Sequence, residues 1–292
     1  MSTYKNMRIG VAHYPVPSEV EPSKKAEWQI NKAAELGLGV QQLSVRDNDP
    51  DMLKGLRDLA ASKDVALESL AAGIWGLIGP DADEARAQLL EAIEIAKHLG
   101  CETLRYNYGR GTIETSRFNK DRPLAEHMAF IADNLSEAGK IAADHGMKIA
   151  IESFADFKGK EWADIFAAVD RPNVGAMLDT ANGITVFCDP NEDVQYLAQY
   201  AINAHLKDFK IVEANEPGRV PFLPVGCALG DGHLDTRLAV ETLGERSPNA
   251  DGMHLVIELA WIEVPPDREA AEVRRELFDK SIRYLTDLLE TL

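Results

Sequence analysis

Cysteine is scarce in this chain: Cys101, Cys188 and Cys227 are the only three in 292 residues, and no Cys-x-x-Cys pair occurs. That excludes a disulfide framework and a thiolate metal cage, and predicts reduced thiols in a cytoplasmic protein. Long apolar runs are missing too. None approaches the roughly 18 residues of a membrane span, and the opening MSTYKNMRIG lacks the apolar stretch of an export signal. Positive charge is in deficit, with 31 Lys and Arg against 48 Asp and Glu and a formal charge of −17. A nucleic-acid partner needs a basic footprint that releases counterions, and none is visible. The same imbalance weighs against a phosphorylated substrate. No Gly-x-Gly-x-x-Gly follows the first strand candidate, RIGVAHYPV, which leaves the dinucleotide-binding open sheet without its fingerprint. Nor is there a Ser- or Pro-rich linker, so residues 1–292 are expected to form one domain.

What the chain has in abundance is a repeated unit. Strand candidates read MRIGVAH (7–13), GVQQLSV (39–45), VALESLA (65–71), ETLRYNY (102–108), KIAIESF (148–154), VGAMLDT (174–180), INAHLKD (202–208) and HLVIELA (254–260). Most are continuous aliphatic runs, as expected of strands covered on both faces. Helical spacing fills the gaps, most clearly at Leu124, Met128, Ile131, Leu135, Ala138 and Ala142. Strand and helix alternating eight times predict an α/β protein, a single (β/α)₈ TIM barrel, over the doubly wound sheet that the same alternation could build. Long connections follow strands (109–121, 209–234, 261–267) and short ones follow helices. Function therefore belongs at the C-terminal ends of the strands.

Four of those ends carry a metal-type side chain: Glu152 in KIAIESF, Asp179 in VGAMLDT, His205 in INAHLKD and Glu258 in HLVIELA. A lone glutamate ending a strand is usually a cap or a salt-bridge partner. Asp179 also suits an ordinary Asp-Thr-Ala-Asn-Gly turn, and a single histidine in an apolar strand is usually a satisfied core residue. Together, three hard oxygen ligands and one imidazole converging on a barrel mouth suit Mn²⁺, Mg²⁺ or Co²⁺, with Mn²⁺ preferred.

The order Glu, Asp-Thr, His-x-Lys-Asp, Glu on strands five to eight resembles the xylose-isomerase-like barrel superfamily. The nearer match is its sugar isomerase and epimerase branch, which includes ketose 3-epimerases, inosose dehydratases and hydroxypyruvate isomerases. The resemblance implies a divalent metal held by Glu152, Asp179, His205 and Glu258, with Glu152 and Glu258 doubling as acid and base. It further implies a small carbohydrate substrate and a homo-oligomer, or a two-subunit enzyme with a separate partner chain. The expected reaction is isomerisation or epimerisation of a keto-sugar through an enediolate. The alternatives are a lyase or dehydratase acting on a keto-sugar or an inosose-type substrate, and a non-catalytic carbohydrate-binding barrel. Two departures stand out. Asn182 replaces the branch's usual histidine three residues after the aspartate, and ESFADFK offers only Asp156 in place of its second glutamate.

Other candidates follow from position. Lys207 shares the parity of His205 and should face the mouth, as a substrate contact or a structural ion pair. Asp208 is a candidate partner fixing the His205 ring. Arg105 in LRYNYG is a cation inside a strand that must meet a carboxylate or the substrate, with Asn107 on the same side. His13, Asn182, Trp75 and Trp261 are candidate substrate contacts at the rim. His233, in the Gly230-Asp231-Gly232-His233 turn, is a candidate additional acid or base.

Overall fold

A computed structural model describes residues 4–109, 111–214, 218 and 220–292. Its centre is a closed parallel barrel of eight strands, in chain order β1 (Arg8–Val11), β2 (Val40–Gln42), β3 (Ala66–Leu70), β4 (Thr103–Asn107), β5 (Lys148–Glu152), β6 (Val174–Asp179), β7 (Ala201–Leu206) and β10 (His254–Ile257). Around it lie α1 (Lys25–Glu35), α2 (Pro50–Ser62), α3 (Ala82–Leu99), α4 (Leu124–Asp144), α5 (Gly159–Val169), α6 (Pro190–Leu197), α7 (Thr236–Arg246) and α8 (Ala270–Thr291). The expected (β/α)₈ barrel is the observed fold. Every expected strand is present but shorter. Among the described residues no helix is long and apolar enough to cross a membrane.

The one addition is a hairpin. Residues 209–234 were expected to be a long connection, and within it β8 (Asp208–Glu213) pairs antiparallel with β9 (Phe222–Cys227) outside the barrel. The signal is faint in sequence because the hairpin is exposed on much of its length and lacks clean alternation.

Helix ends follow local chemistry. Asp49 caps α2 by accepting from the Asp51 and Met52 amides, with Pro50 in the first turn. Gly100 closes α3 in the left-handed conformation. The helices bury their apolar stripes against the outer strand faces, as Leu89, Ile93 and Ala96 of α3 do.

Register places the site. Glu152 pairs with Met177, and after an irregularity at Ala176–Met177 Asp179 pairs with His205. The Glu258 amide donates to Leu206 O at 3.0 Å. One extra β7 residue is taken up at that irregularity, which sets Asn203 beside Met177 and His205 beside Asp179. Side chains alternate along each strand, so Asn203, His205 and Lys207 all point inward.

Candidate metal centre

The four strand-end residues come together. Glu152, Asp179, His205 and Glu258 each offer one ligand atom within 4.8 Å of the others. His205 Nδ1 lies 2.9 Å from Glu258 Oε2 and 3.6 Å from Glu152 Oε1. Asp179 divides its labour between its two oxygens. Oδ1 accepts from the Ala181 and Asn182 amides at 2.9 and 2.8 Å, the turn role open to it from sequence. Oδ2 is left facing the cluster.

Lys207 fills the middle. Its Nζ stands 2.9 Å from Asp179 Oδ2, 3.0 Å from Glu258 Oε2 and 3.6 Å from Glu152 Oε1. It also donates to Asn182 Oδ1 at 3.2 Å. Asn182 Nδ2 in turn donates to Glu152 Oε1 at 3.3 Å. The ambiguity over Lys207 resolves toward an ion pair with the cluster itself.

The residues fit a divalent ion. Asp179 Oδ2, His205 Nδ1 and Glu258 Oε2 are buried, yet none makes a hydrogen bond of acceptable angle, a costly arrangement unless something else satisfies them. Three carboxylates against the Lys207 ammonium leave two negative charges, which one divalent cation would balance. The donor set, three carboxylate oxygens and one imidazole nitrogen, suits Mg²⁺ or Mn²⁺. Without an ion, a proton on His205 supplies part of that charge. Burial opposes it, but Glu258 and Glu152 prevail and the imidazole pKa is held at about 10. Burial raises the Glu258 carboxyl, but His205 and Lys207 outweigh it and keep the group well below the usual carboxylate range. Asp179 is shifted upward, mainly by burial.

Behind His205 lies a polar thread that sequence reasoning missed. Gln42 Oε1 is 3.2 Å from His205 Nε2, and Gln42 Nε2 donates to Glu68 Oε2 at 2.8 Å. Glu68 Oε1 also accepts from Asn203 Nδ2 at 2.7 Å and faces His254 Nδ1 at 2.7 Å. Gln42 meets His205 Nε2 with its oxygen at 3.2 Å and its amide nitrogen at 3.1 Å, the nitrogen also donating to Glu68. With the oxygen accepting from the ring, the proton would sit on Nε2 and the Nδ1 lone pair would face the cluster, the usual device for orienting a ligating imidazole. The available signal was a lone glutamate in mid-strand, in VALESLA, and not at a strand end.

Asp208 does not do this work. It was expected to fix His205, but strand alternation turns it outward, where its carboxylate accepts from the Gly230, Gly232 and Leu234 amides at 3.0, 3.0 and 3.2 Å. A Cβ at Gly232 would run into that carboxylate, which explains the glycine in the Gly-Asp-Gly-His turn. His233 is exposed and lies on the hairpin, its Nδ1 accepting from the Ile211 amide at 3.3 Å. Among the described residues no contact joins it to the carboxylate cluster. Trp75 donates from Nε1 to Asn107 O at 3.0 Å and packs edge-on to Tyr108. Trp261 is half exposed and tilted against Phe209. His13 lies two residues beyond β1 with a left-handed φ of 58° and lines a pocket beside the cluster. Burial pushes its pKa down, against the pull of Glu258.

Asp156, the acid that stands where the branch carries its second glutamate, is not in the cluster. It supports the β4 loop, accepting from Thr115 Oγ1 at 2.9 Å and from the Gly111 amide. Gly109, at φ 70°, leaves no room for a Cβ beside it. Burial raises the Asp156 pKa to about 6. For an acid raised above its unfolded value, the folded state holds the proton more tightly, so stability falls as pH rises from about 4 to about 6. Asp156→Asn is therefore expected to gain melting temperature relative to wild type between pH 4 and pH 7.5. A constant difference across that range would refute the assignment.

Comparison with known proteins agrees with this architecture. The model of the xylose isomerase-like TIM barrel family matches residues 30–286. Over its whole length the chain is similar to 3-oxo-isoapionate decarboxylase of Pectobacterium atrosepticum, at 25% identity across 98% of this chain and 96% of that one. Among solved structures it resembles a xylose isomerase-like TIM barrel protein from Mycobacterium smegmatis in complex with magnesium (TM-score 0.69, 16% identity, 99% of this chain and 100% of that one). It also resembles L-ribulose 3-epimerase (TM-score 0.70, 14% identity, 98% and 95%). With eight parallel strands closed around a carboxylate–imidazole cluster and a family match across nearly the whole chain, the protein belongs to the xylose isomerase-like TIM barrel family.

Proposed function

We propose that the chain is a divalent-metal-dependent isomerase or epimerase of a small polyhydroxy carbonyl compound, working by proton removal next to the carbonyl through an enediolate. The observation that carries this reading is the placement of two glutamates from separated strands around one point. Glu152 arrives from β5 and Glu258 from beyond β10, and both approach His205 Nδ1 and Lys207 Nζ. Glu152, Asp179, His205 and Glu258 would hold the ion. When bound, it would polarise the carbonyl oxygen and acidify the neighbouring C–H.

The protein's own groups do the rest. Glu258, kept ionised by His205 and Lys207, accepts the proton from carbon on one side. Glu152, on the other, would exchange a proton with the opposite face. Asn182, bonded to both Glu152 and Lys207, orients a substrate hydroxyl, and as an amide it cannot act as the base.

A lyase reading is favoured by one specific finding, the full-length likeness to a decarboxylase. In a 2-hydroxy-3-oxo acid the C–C bond to the carboxylate would break, its electron pair passing toward the carbonyl as an enediolate, carbon dioxide leaving, and the carbon taking up a proton from water relayed by a glutamate. Incubation of keto-sugars and 3-oxo sugar acids in D₂O with Mn²⁺, then with chelator, separates the two by NMR. The expected result is metal-dependent deuterium entry beside the carbonyl with the skeleton retained. Metal-dependent loss of carbon dioxide or of a substituent would transfer the assignment to lyase. No exchange with any substrate would leave a binding-only barrel.

A further inference from the structure

The barrel mouth holds two inward cations, and they are treated differently. Lys207 is surrounded by three carboxylates. Arg105, on β4, meets none: among the described residues no carboxylate oxygen lies within ion-pair distance of its guanidinium. Its Nη2 donates to Leu43 O at 3.1 Å and Ser44 Oγ at 3.2 Å, while its Nε is buried without a partner. The side chain is enclosed enough that burial lowers its pKa. A partly buried guanidinium on which Glu68, Glu152 and Glu258 act only from beyond ion-pair distance, and whose Nε has no partner, is suited to take an anion that is not part of the chain.

The space for that anion is adjacent. Arg105 lines a cavity of about 690 Å³, a volume suited to a small molecule. Gln42 lines the same cavity and touches His205, so its side chain stands between the cavity and the carboxylate cluster. His13 stands in its wall. Lys24, Lys25, Arg46 and Arg105 face it against only Glu27 and Asp47, and Lys24 is paired with Glu27 at 3.0 Å. In a chain of net charge −17 this is a local reversal of sign, which draws anions inward.

We propose that Arg105 binds a carboxylate of the substrate, so that the natural substrate is a sugar acid and not a neutral sugar. The assignment rests on the metal-dependent reading above and names its substrate class. Arg105 alone supplies one positive charge, the charge of one carboxylate, and inorganic phosphate is the competing anion in the test below. The outer Lys25 and Arg46 steer the acid toward Arg105 and do not replace it.

Calorimetric titration with D-erythronate, a four-carbon sugar acid, and with erythritol, its neutral counterpart, tests the proposal on the Mn²⁺-loaded protein and on chelated protein. Wild type is expected to prefer erythronate at least about tenfold, and Arg105→Gln to lose that preference while binding erythritol as before. Arg105→Lys, which keeps the charge, should retain part of it. Circular dichroism checks that both variants fold, and the wild-type preference can be read without either. Equal binding of the two ligands by wild type, undetectable erythronate binding at millimolar concentration, or a preference that survives Arg105→Gln each overturns the assignment. So does inorganic phosphate binding more tightly than erythronate in an Arg105-dependent way. Failure of Mn²⁺ to bind, titrated separately, would instead remove the metal-dependent reading, and the erythronate comparison on chelated protein would still decide this one.

Discussion

Glu258→Gln is expected to lower turnover at least about a thousandfold, near the upper range of what a positioned acid–base group contributes, while the barrel stays folded. The carboxylate is both a candidate metal ligand and the group held most firmly in its ionised form, by His205 at 2.9 Å and Lys207 at 3.0 Å. An amide can neither carry the proton nor supply the charge. Stability without an ion should fall as well. His205 and Lys207 hold the Glu258 carboxyl well below the usual carboxylate range, so its ionised form stabilises the fold at neutral pH. The variant's melting temperature without metal should therefore lie below that of wild type, with the gap closing as pH falls below the unfolded carboxylate value. Added Mn²⁺ should then stabilise wild type by mass action, by about 2.7 kcal/mol at a hundredfold excess over Kd, and the variant by much less. The deuterium-exchange assay and thermal melting with and without chelator measure both. More than a tenth of wild-type activity in the variant would sink the proton-transfer role.

Glu68→Gln carries the largest expected loss of stability. Glu68 is fully buried in the barrel and is the common acceptor for Gln42 and Asn203 and the partner of His254. A glutamine must present an NH₂ group where these donors need an oxygen. Breaking a buried charged network of this kind costs about 3–5 kcal/mol, or roughly 10 °C of melting temperature for a domain of this size. The effect should depend on pH. Burial raises the Glu68 pKa, but the contacts from His254, Asn203 and Gln42 outweigh it and hold the value at about 2. A depressed carboxyl stabilises the fold above its unfolded value of about 4.5 and loses that contribution as pH falls toward 2. Urea unfolding should therefore show a large gap between variant and wild type at pH 7 and a smaller one near pH 3. An unchanged gap would mean that Glu68 acts through shape alone. Because Gln42 links Glu68 to His205, the same variant is also expected to bind Mn²⁺ more weakly.

The two variants differ in how visible their targets are in sequence. Glu258, Glu152, Asp179 and His205 close apolar strands, and a polar group ending a buried run is a local feature with a local meaning. Glu68 sits inside a strand and becomes intelligible only when β2, β7 and β10 close around it. Lys207 was legible as inward-facing from its parity with His205. That its ammonium would lie among three carboxylates was not, because those carboxylates come from β5, β6 and the segment after β10. Asp208 illustrates the opposite error: adjacency to His205 in sequence suggested contact, whereas alternation sends neighbouring residues to opposite faces of a strand.

The sequence by itself determined the repeating strand–helix unit, the closed barrel it builds, the face that carries chemistry and the four residues that meet there. Those follow from periodicity and from which side chains end each apolar run, which are properties of neighbouring residues. Only the tertiary structure decided which charges find partners. It paired Lys207 and left Arg105 bare, gave His205 to Gln42 in place of Asp208, and set Asp156 under a loop and away from the site. Partners come from strands far apart in the chain, and their distances are fixed by barrel closure and register, which no local pattern encodes.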